Sequence, residues 1–385
     1  MDDPYSGLSR RDFLKLSGLG LLGLLLPGHP LSFFSDPSTG SPEERWDFAG
    51  RRLGPVSASE PPLQGRVVSG VLWAYDVPSS TGKRVKLYWR DLVVNIDSTA
   101  IDEDASAYNR IWYRLEDGSY LYSGWVQPVR TLLNVETLPV ETLQATSLQA
   151  TSLQATSLQA TSLLGEVSVP FTDAYASPDP RAKVLYRLYY ETTHWVMGSV
   201  AGPDGSAWYR LLDDKFDQFY FVPARHVRIL PREELEPLSP SVPPRDKRIE
   251  VRLDAQLILA YEAERPVFAA RAATGAILQV GTYTTPIGRF ETYHKRPSRH
   301  MAAGDITASG FDLPGVPWVL YIKDNGISIH GTYWHNDFGR PRSHGCINLS
   351  PSAAKWLYRW SMPFVPPEKQ YKYEYANATR VDVVK

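Results

Sequence analysis

From Gly65 onward the chain alternates between apolar and polar residues. The segments "VVSGVLWAYDVP" and "KRVKLYWRDLVVNI" place apolar side chains at every second position, with turn residues between them. A period of two predicts half-buried β-strands. "NRIWYRLEDGSYLYSGWVQPVR" continues the pattern, and "EDGSY" within it predicts a hairpin turn. Past residue 247, "RIEVRLDAQLILAYE" predicts a hairpin turning at Asp254-Ala255, and "PVFAARAATG" a strand running to Gly275. "PWVLYIK" and "GISIHG" predict two more strands, separated by the turn Asp324-Asn325-Gly326. The period then changes. Ser350 is an N-cap residue, Pro351 suits the first helical position, and Ala353, Trp356, Leu357 and Trp360 recur at helical spacing. A helix with one apolar stripe is predicted from Pro351, ending at Met362-Pro363.

The first β pattern occurs twice. Ala74-Tyr75 matches Ala174-Tyr175, and Trp112-Tyr113-Arg114-Leu115 matches Trp208-Tyr209-Arg210-Leu211. Each Trp-Tyr-Arg-Leu is followed at equal spacing by a valine, Val126 and Val222. This predicts a duplicated all-β unit. The pattern resembles the small SH3-like barrels of bacterial envelope proteins; one larger β domain is the alternative. Between the copies, Leu143 to Ser162 repeats LQATS four times. A five-residue period keeps no helix face or strand face apolar, so a low-complexity spacer is expected.

The N-terminus reads as an address. Arg10 and Arg11 precede Phe13, Leu14 and an apolar stretch from Leu16 to Leu26. This resembles a twin-arginine export signal. It implies export to the cell envelope, with retention as a membrane anchor left open, because no small-x-small cleavage site follows. The expected organisation is a signal or anchor over 1–40, a linker over 41–62 and a first module over 63–131. The spacer then covers 132–165, the second module 166–230 and a Pro-rich linker 231–247. A third, β-rich module over 248–365 and a C-terminal tail over 366–385 complete it. The fold class is mainly β.

Charge narrows the partners. Lys and Arg number 41 against 42 Asp and Glu, for a net charge of −1. That excludes a nucleic-acid binder working through bulk charge. With 22 Tyr and 11 Trp the composition suits β-rich modules and binding clefts.

Cys346 is the only cysteine. It is either a small buried hydrophobe or a working thiol. Only the thiolate attacks carbonyls well, and forming it needs a nearby positive charge, a histidine or helix amides. His344 lies two residues upstream, His330 ends the strand "GISIHG", and five of the eight histidines fall between His294 and His344. Gly345 permits a sharp turn that brings amides to a reacting carbonyl. His330, His335, His344 and Cys346 lack the spacing of a zinc site, so no metal and no cofactor are expected.

"HGTYWHNDFGRPRSHGCINLSPSAAKWLYRW", His330 to Trp360, resembles the active-site segment of the L,D-transpeptidase catalytic domain family of bacterial cell-wall cross-linking enzymes. The upstream "GTYTTPIGRF", with Thr285, Pro286 and Gly288, matches a second family signature. The resemblance implies a sandwich-like sheet fold, peptidoglycan stem peptides as substrate and carbapenem-type inhibitors. It implies Cys346 as nucleophile, His330 as general base and acid, and Gly331 orienting His330 through its carbonyl. It also implies His344 shaping the site, and the amides of Gly345 and Cys346 holding the oxyanion. Asn348 is expected to touch substrate, and Ser343 to support the loop or contact substrate.

Other residues carry open readings. Tyr293, Tyr321 and Trp334 line the cleft or pack beside it. Arg340 and Arg342 meet a substrate carboxylate or form a solvated basic loop. His335 is expected in a solvated loop, and His294 and His300 in a polar surface loop. Water as acceptor, giving an L,D-carboxypeptidase, and wall binding without catalysis are the alternative functions.

Overall fold

The computed structural model describes residues 45–46, 52–53, 61–135, 137–138, 163–278, 281–304 and 310–385. The export segment and the LQATS repeats lie outside the described residues. The chain divides into residues 1–61 and 62–385. In the first unit Arg45–Trp46 pairs antiparallel with Arg52–Leu53.

The duplication is visible in the strands. Each copy is a seven-stranded antiparallel sheet with the same order. In the first copy that order is Arg84–Trp89, Val71–Tyr75, Tyr120–Tyr122, Ile111–Leu115, Val93–Ile101, Gln64–Val67, Val126–Val129. The outermost strands do not pair, so each sheet is open rather than the closed barrel expected. Ala74 and Ala174 are both fully buried, and each copy shifts register just after them. Tyr75 meets Trp112 edge-on at 5.6 Å, and Tyr175 meets Trp208 at 5.5 Å. The valine match needs correcting. Tyr113 faces Leu121 and Tyr209 faces Val222, because the second hairpin is five residues longer. Val126 therefore corresponds to Val227, which follows the second copy's 3-10 turn.

The third module is built on two five-stranded sheets, with a two-stranded ribbon of Ile277–Leu278 and Gly281–Thr282 beside them. One has the order Arg265–Arg271, Leu257–Glu262, Lys247–Arg252, Arg380–Val384, Gly288–Glu291. The other runs Ile347–Leu349, Ser328–Gly331, Phe311–Tyr321, His294–Ala303, Lys372–Tyr373. Ile249, Val251, Trp318, Leu320, Ile329 and Ile347 share one core with Leu357 and Trp360 of the helix. Trp195 and Met197 of the second β module join it. The stretch expected as a tail ends in Arg380–Val384, which lies between Lys247–Arg252, parallel to it, and Gly288–Glu291. The module therefore extends past residue 365, and Val381 and Val383 complete its core.

The helix is Pro351–Trp360, and the Ser350 side chain accepts the Ala353 N–H. Leu357 and Trp360 are buried; Ala353 and Trp356 are half-buried, and Ala354 completes the buried face. Its far end is held by two buried lysines. Lys295 Nζ donates to the carbonyls of Tyr358 and Ser361, both at 2.6 Å, and Lys247 Nζ to that of Trp360 at 2.8 Å. Their N–H groups satisfy the orphan carbonyls of the helix C-terminus, while burial pulls both lysines down. The polar run "TYHKRPSRH" is thus mostly a sheet strand, His294–Ala303, and not a surface loop. His300 is buried between Asp213, at 2.7 Å, and Asp312.

Candidate active site

Two neighbouring strands bring the thiol and the imidazole together. Ser328–Gly331 and Ile347–Leu349 pair in parallel, with Ile329 opposite Ile347 and His330 opposite Asn348. Cys346 therefore enters its strand one residue before Ile347, beside Ser328. Its sulfur lies 3.7 Å from Ser328 Oγ and 3.8 Å from the Gly326 carbonyl, on the turn that Asp324-Asn325-Gly326 predicted. Burial pushes the Cys346 thiol up, but the hydrogen bond and charge of His330, with help from Ser328, outweigh it. The net direction is down, toward thiolate.

His330 is buried, and its Nδ1 lies 3.0 Å from the Gly331 carbonyl. A carbonyl only accepts, so Nδ1 carries the proton and Nε2 keeps its lone pair. Gly331 is pinned as well: a Cβ there would meet Pro317 Cγ at 2.7 Å and Pro351 Cα at 3.0 Å.

The turn before Cys346 is held from below. Thr285, of the second signature, is buried; its Oγ1 accepts from Gly275 N–H at 2.8 Å and donates to the Gly345 carbonyl at 2.9 Å. Gly345 has φ +107°, in the region that favours glycine. Ser343 is buried, donates to the Cys346 carbonyl at 2.5 Å and accepts from Gly345 N–H at 3.1 Å. It supports the loop. The Gly345 amide is thereby engaged and not open to an oxyanion as expected; the Cys346 amide donates to no group among the described residues.

The remaining candidates divide. Tyr321, next to the thiol's turn, stacks on His294 at 4.8 Å. Burial first, then the Cys346 charge among others, raises its phenol against Arg299 and Arg296. The Trp334 ring lies 5.7 Å from that of His330. His344 is exposed and leans on Tyr283, with ring centroids 4.6 Å apart. Tyr293 packs inside, its hydroxyl donating to Asp324 at 2.8 Å.

Asn348 does not face a cleft. It is buried, and its side-chain amide lies 3.0 Å from His335 Nε2. His335 is buried too, not solvated, and burial first, then the Arg342 charge, pulls it down to about 3. Its Nδ1 accepts the Asp337 N–H at 3.2 Å. A neutral ring with Nδ1 accepting carries its proton on Nε2; Asn348 Nδ2 stands there while its Oδ1 has no partner among the described residues, so the amide turned end for end, oxygen toward the ring, satisfies both groups. Arg340 and Arg342 do not form a solvated loop: both bind the buried carboxylate of Asp337. That pairing was open to sequence reasoning, since Asp337 lies three and five residues upstream.

A cavity of about 240 Å³, lined by Gln127, Glu191, Thr332, His335 and Pro351 among others, includes neither Cys346 nor His330. Among the described residues no cluster of three or more His, Cys, Asp or Glu is arranged for a metal.

Residues 246–383 match the family model of the YkuD L,D-transpeptidase catalytic domain. No curated protein matches the chain. Among solved structures, a C442S mutant of the Enterococcus faecium L,D-transpeptidase is 24% identical, with a TM-score of 0.29; the match covers 36% of this chain and 50% of that one. Residues 123–326 of the Xylanimonas cellulosilytica L,D-transpeptidase are 28% identical over 36% of this chain and 60% of that one, TM-score 0.26. The E. faecium catalytic domain acylated by ertapenem is 24% identical over 36% and 97%, TM-score 0.28. The chain thus spans about half the length of the longer E. faecium protein.

Proposed function

We propose, with residues 246–383 being an L,D-transpeptidase catalytic domain, that this protein is a peptidoglycan L,D-transpeptidase working through an acyl-enzyme on Cys346. The observation that carries this reading is the placing of Cys346 and His330 on adjacent parallel strand ends, with the His330 tautomer dictated by the Gly331 carbonyl. His330 Nε2 takes the thiol proton. The thiolate attacks the carbonyl carbon of the diamino-acid residue in a tetrapeptide stem, and the Cys346 amide donates to the developing oxyanion. The peptide C–N bond breaks, D-alanine leaves with the proton from Nε2, and a thioester remains. An amine of a neighbouring stem then attacks the thioester, giving a 3-3 cross-link and restoring the thiol. One imidazole suits both transfers because the same ring nitrogen accepts a proton and gives it back.

The twin-arginine-like segment within residues 1–40 supports export to the envelope, where this substrate lies. Tyr321 and Trp334 border the reacting pair and are the cleft residues of this reading.

The test is incubation of purified protein with a carbapenem, whose strained carbonyl traps a thiolate, followed by intact-mass measurement. The expected result is one covalent adduct on Cys346, absent from Cys346→Ala. An adduct that persists in Cys346→Ala overturns the assignment. Product analysis with stem tetrapeptide, with and without an amine acceptor, separates cross-linking from hydrolysis.

A further inference from the structure

The segment 332–342 joins the strand of His330 to the turn of Cys346. It is gripped from outside the catalytic domain. Asp337, at its middle, is fully buried. A buried carboxylate is costly unless paired and hydrogen-bonded. Two of its partners are local, Arg340 and Arg342. The others belong to the first β module. Tyr108 Oη donates to Asp337 Oδ1; Tyr122 Oη lies 3.2 Å from the same oxygen and 2.8 Å from Tyr108 Oη. Beside them Asn336 N–H donates to the Gly124 carbonyl at 3.1 Å.

The grip reaches the reacting pair by contacts already described. Asp337 N–H donates to His335, which faces Asn348, the register partner of His330. Trp334, one residue from His335, packs near the His330 ring. A module serving only as a spacer has no reason to place two phenols against the one buried carboxylate of this loop.

We propose that Tyr108 and Tyr122 are positioning residues for the Cys346–His330 pair, so that the first β module is part of the framework of the reacting site. The inference rests on the functional reading above. Loops are the mobile parts of a fold, and small misplacements of reacting groups are costly in rate.

The test uses the full chain with Tyr108→Phe, Tyr122→Phe and the double variant, which remove hydroxyls and keep the rings. Carbapenem acylation of Cys346 is followed by intact mass over a range of concentrations, with thermal melting alongside. The double variant is expected to lower the maximal acylation rate about 10-fold, with little change in the half-saturating concentration. Trp89→Ala, on the exposed surface of the same module, is expected to acylate like the wild type. Iodoacetamide alkylation of Cys346 against pH gives a second readout that needs no transpeptidase chemistry: its midpoint rises in the double variant. Wild-type rate and wild-type alkylation midpoint in a folded double variant overturn the inference. If the double variant does not fold, Tyr122→Phe alone is judged by the same two readouts. A wild type that alkylates but takes no carbapenem overturns the functional reading instead, while the alkylation comparison still decides this one.

Discussion

Thr285→Val is the most informative single change to the frame beneath the thiol. Valine keeps the shape of threonine and removes its hydroxyl. In the structure that hydroxyl accepts from Gly275 N–H and donates to the Gly345 carbonyl. Thr285 is buried, so water cannot replace either bond without opening the site. Each buried polar group left without a partner costs about 1–3 kcal/mol, so the pair costs about 2–6 kcal/mol. Thr285→Ser keeps the hydroxyl and loses one methyl, about 1 kcal/mol. Thermal unfolding of the two variants and the wild type measures the difference; each kcal/mol moves Tm by about 2–4 °C in a unit of a few hundred residues. The Gly345 carbonyl belongs to the turn that presents Cys346, so carbapenem acylation of Thr285→Val should slow as well, and that of Thr285→Ser should not. If Thr285→Val melts with the wild type, or Thr285→Ser loses as much as Thr285→Val, the hydroxyl is not the clamp described here.

Two further outcomes follow from the same geometry. Gly345→Ala has room for its Cβ, whose nearest neighbour is Ile327 at 3.6 Å, but φ +107° strains it by about 1–3 kcal/mol; it should fold and acylate more slowly than wild type by intact mass. For His300, burial pulls the imidazole down, but the hydrogen bonds and charges of Asp213 and Asp312 outweigh it and the net direction is up. A raised pKa contributes stability that is fully present below the unfolded value of about 6.5 and is lost as pH rises through the folded value. Melting curves from acid to mildly alkaline pH should show that loss in the wild type and a flatter profile in His300→Gln.

Local features of this fold were legible in the sequence because their causes are local. Ser350-Pro351 announced the helix start, Asp324-Asn325-Gly326 the turn beneath the thiol, and the repeated Ala-Tyr and Trp-Tyr-Arg-Leu the paired β modules. The likeness around Cys346 indicated which strand ends to bring together. What failed depended on distant partners. His300 looked like a surface histidine because Asp213, which buries it, lies 87 residues away. His335 looked solvated because its partner Asn348 sits on the strand beyond the loop, 13 residues on. The equal spacing of Val126 and Val222 misled because a longer hairpin in the second copy shifted the strand without changing the motif. The C-terminal strand was missed because its neighbour, Lys247–Arg252, starts more than 130 residues upstream.

The central claim is that His330 makes the Cys346 sulfur a thiolate at a pH where an ordinary thiol is protonated. The rate of iodoacetamide alkylation at Cys346, followed against pH in wild type and His330→Ala, measures this directly. The account predicts a wild-type midpoint below the ordinary thiol value of about 8.5. It predicts a higher midpoint in His330→Ala, because the largest opposition to burial is gone and only the Ser328 hydrogen bonds remain. Coinciding midpoints in the two proteins would contradict the account.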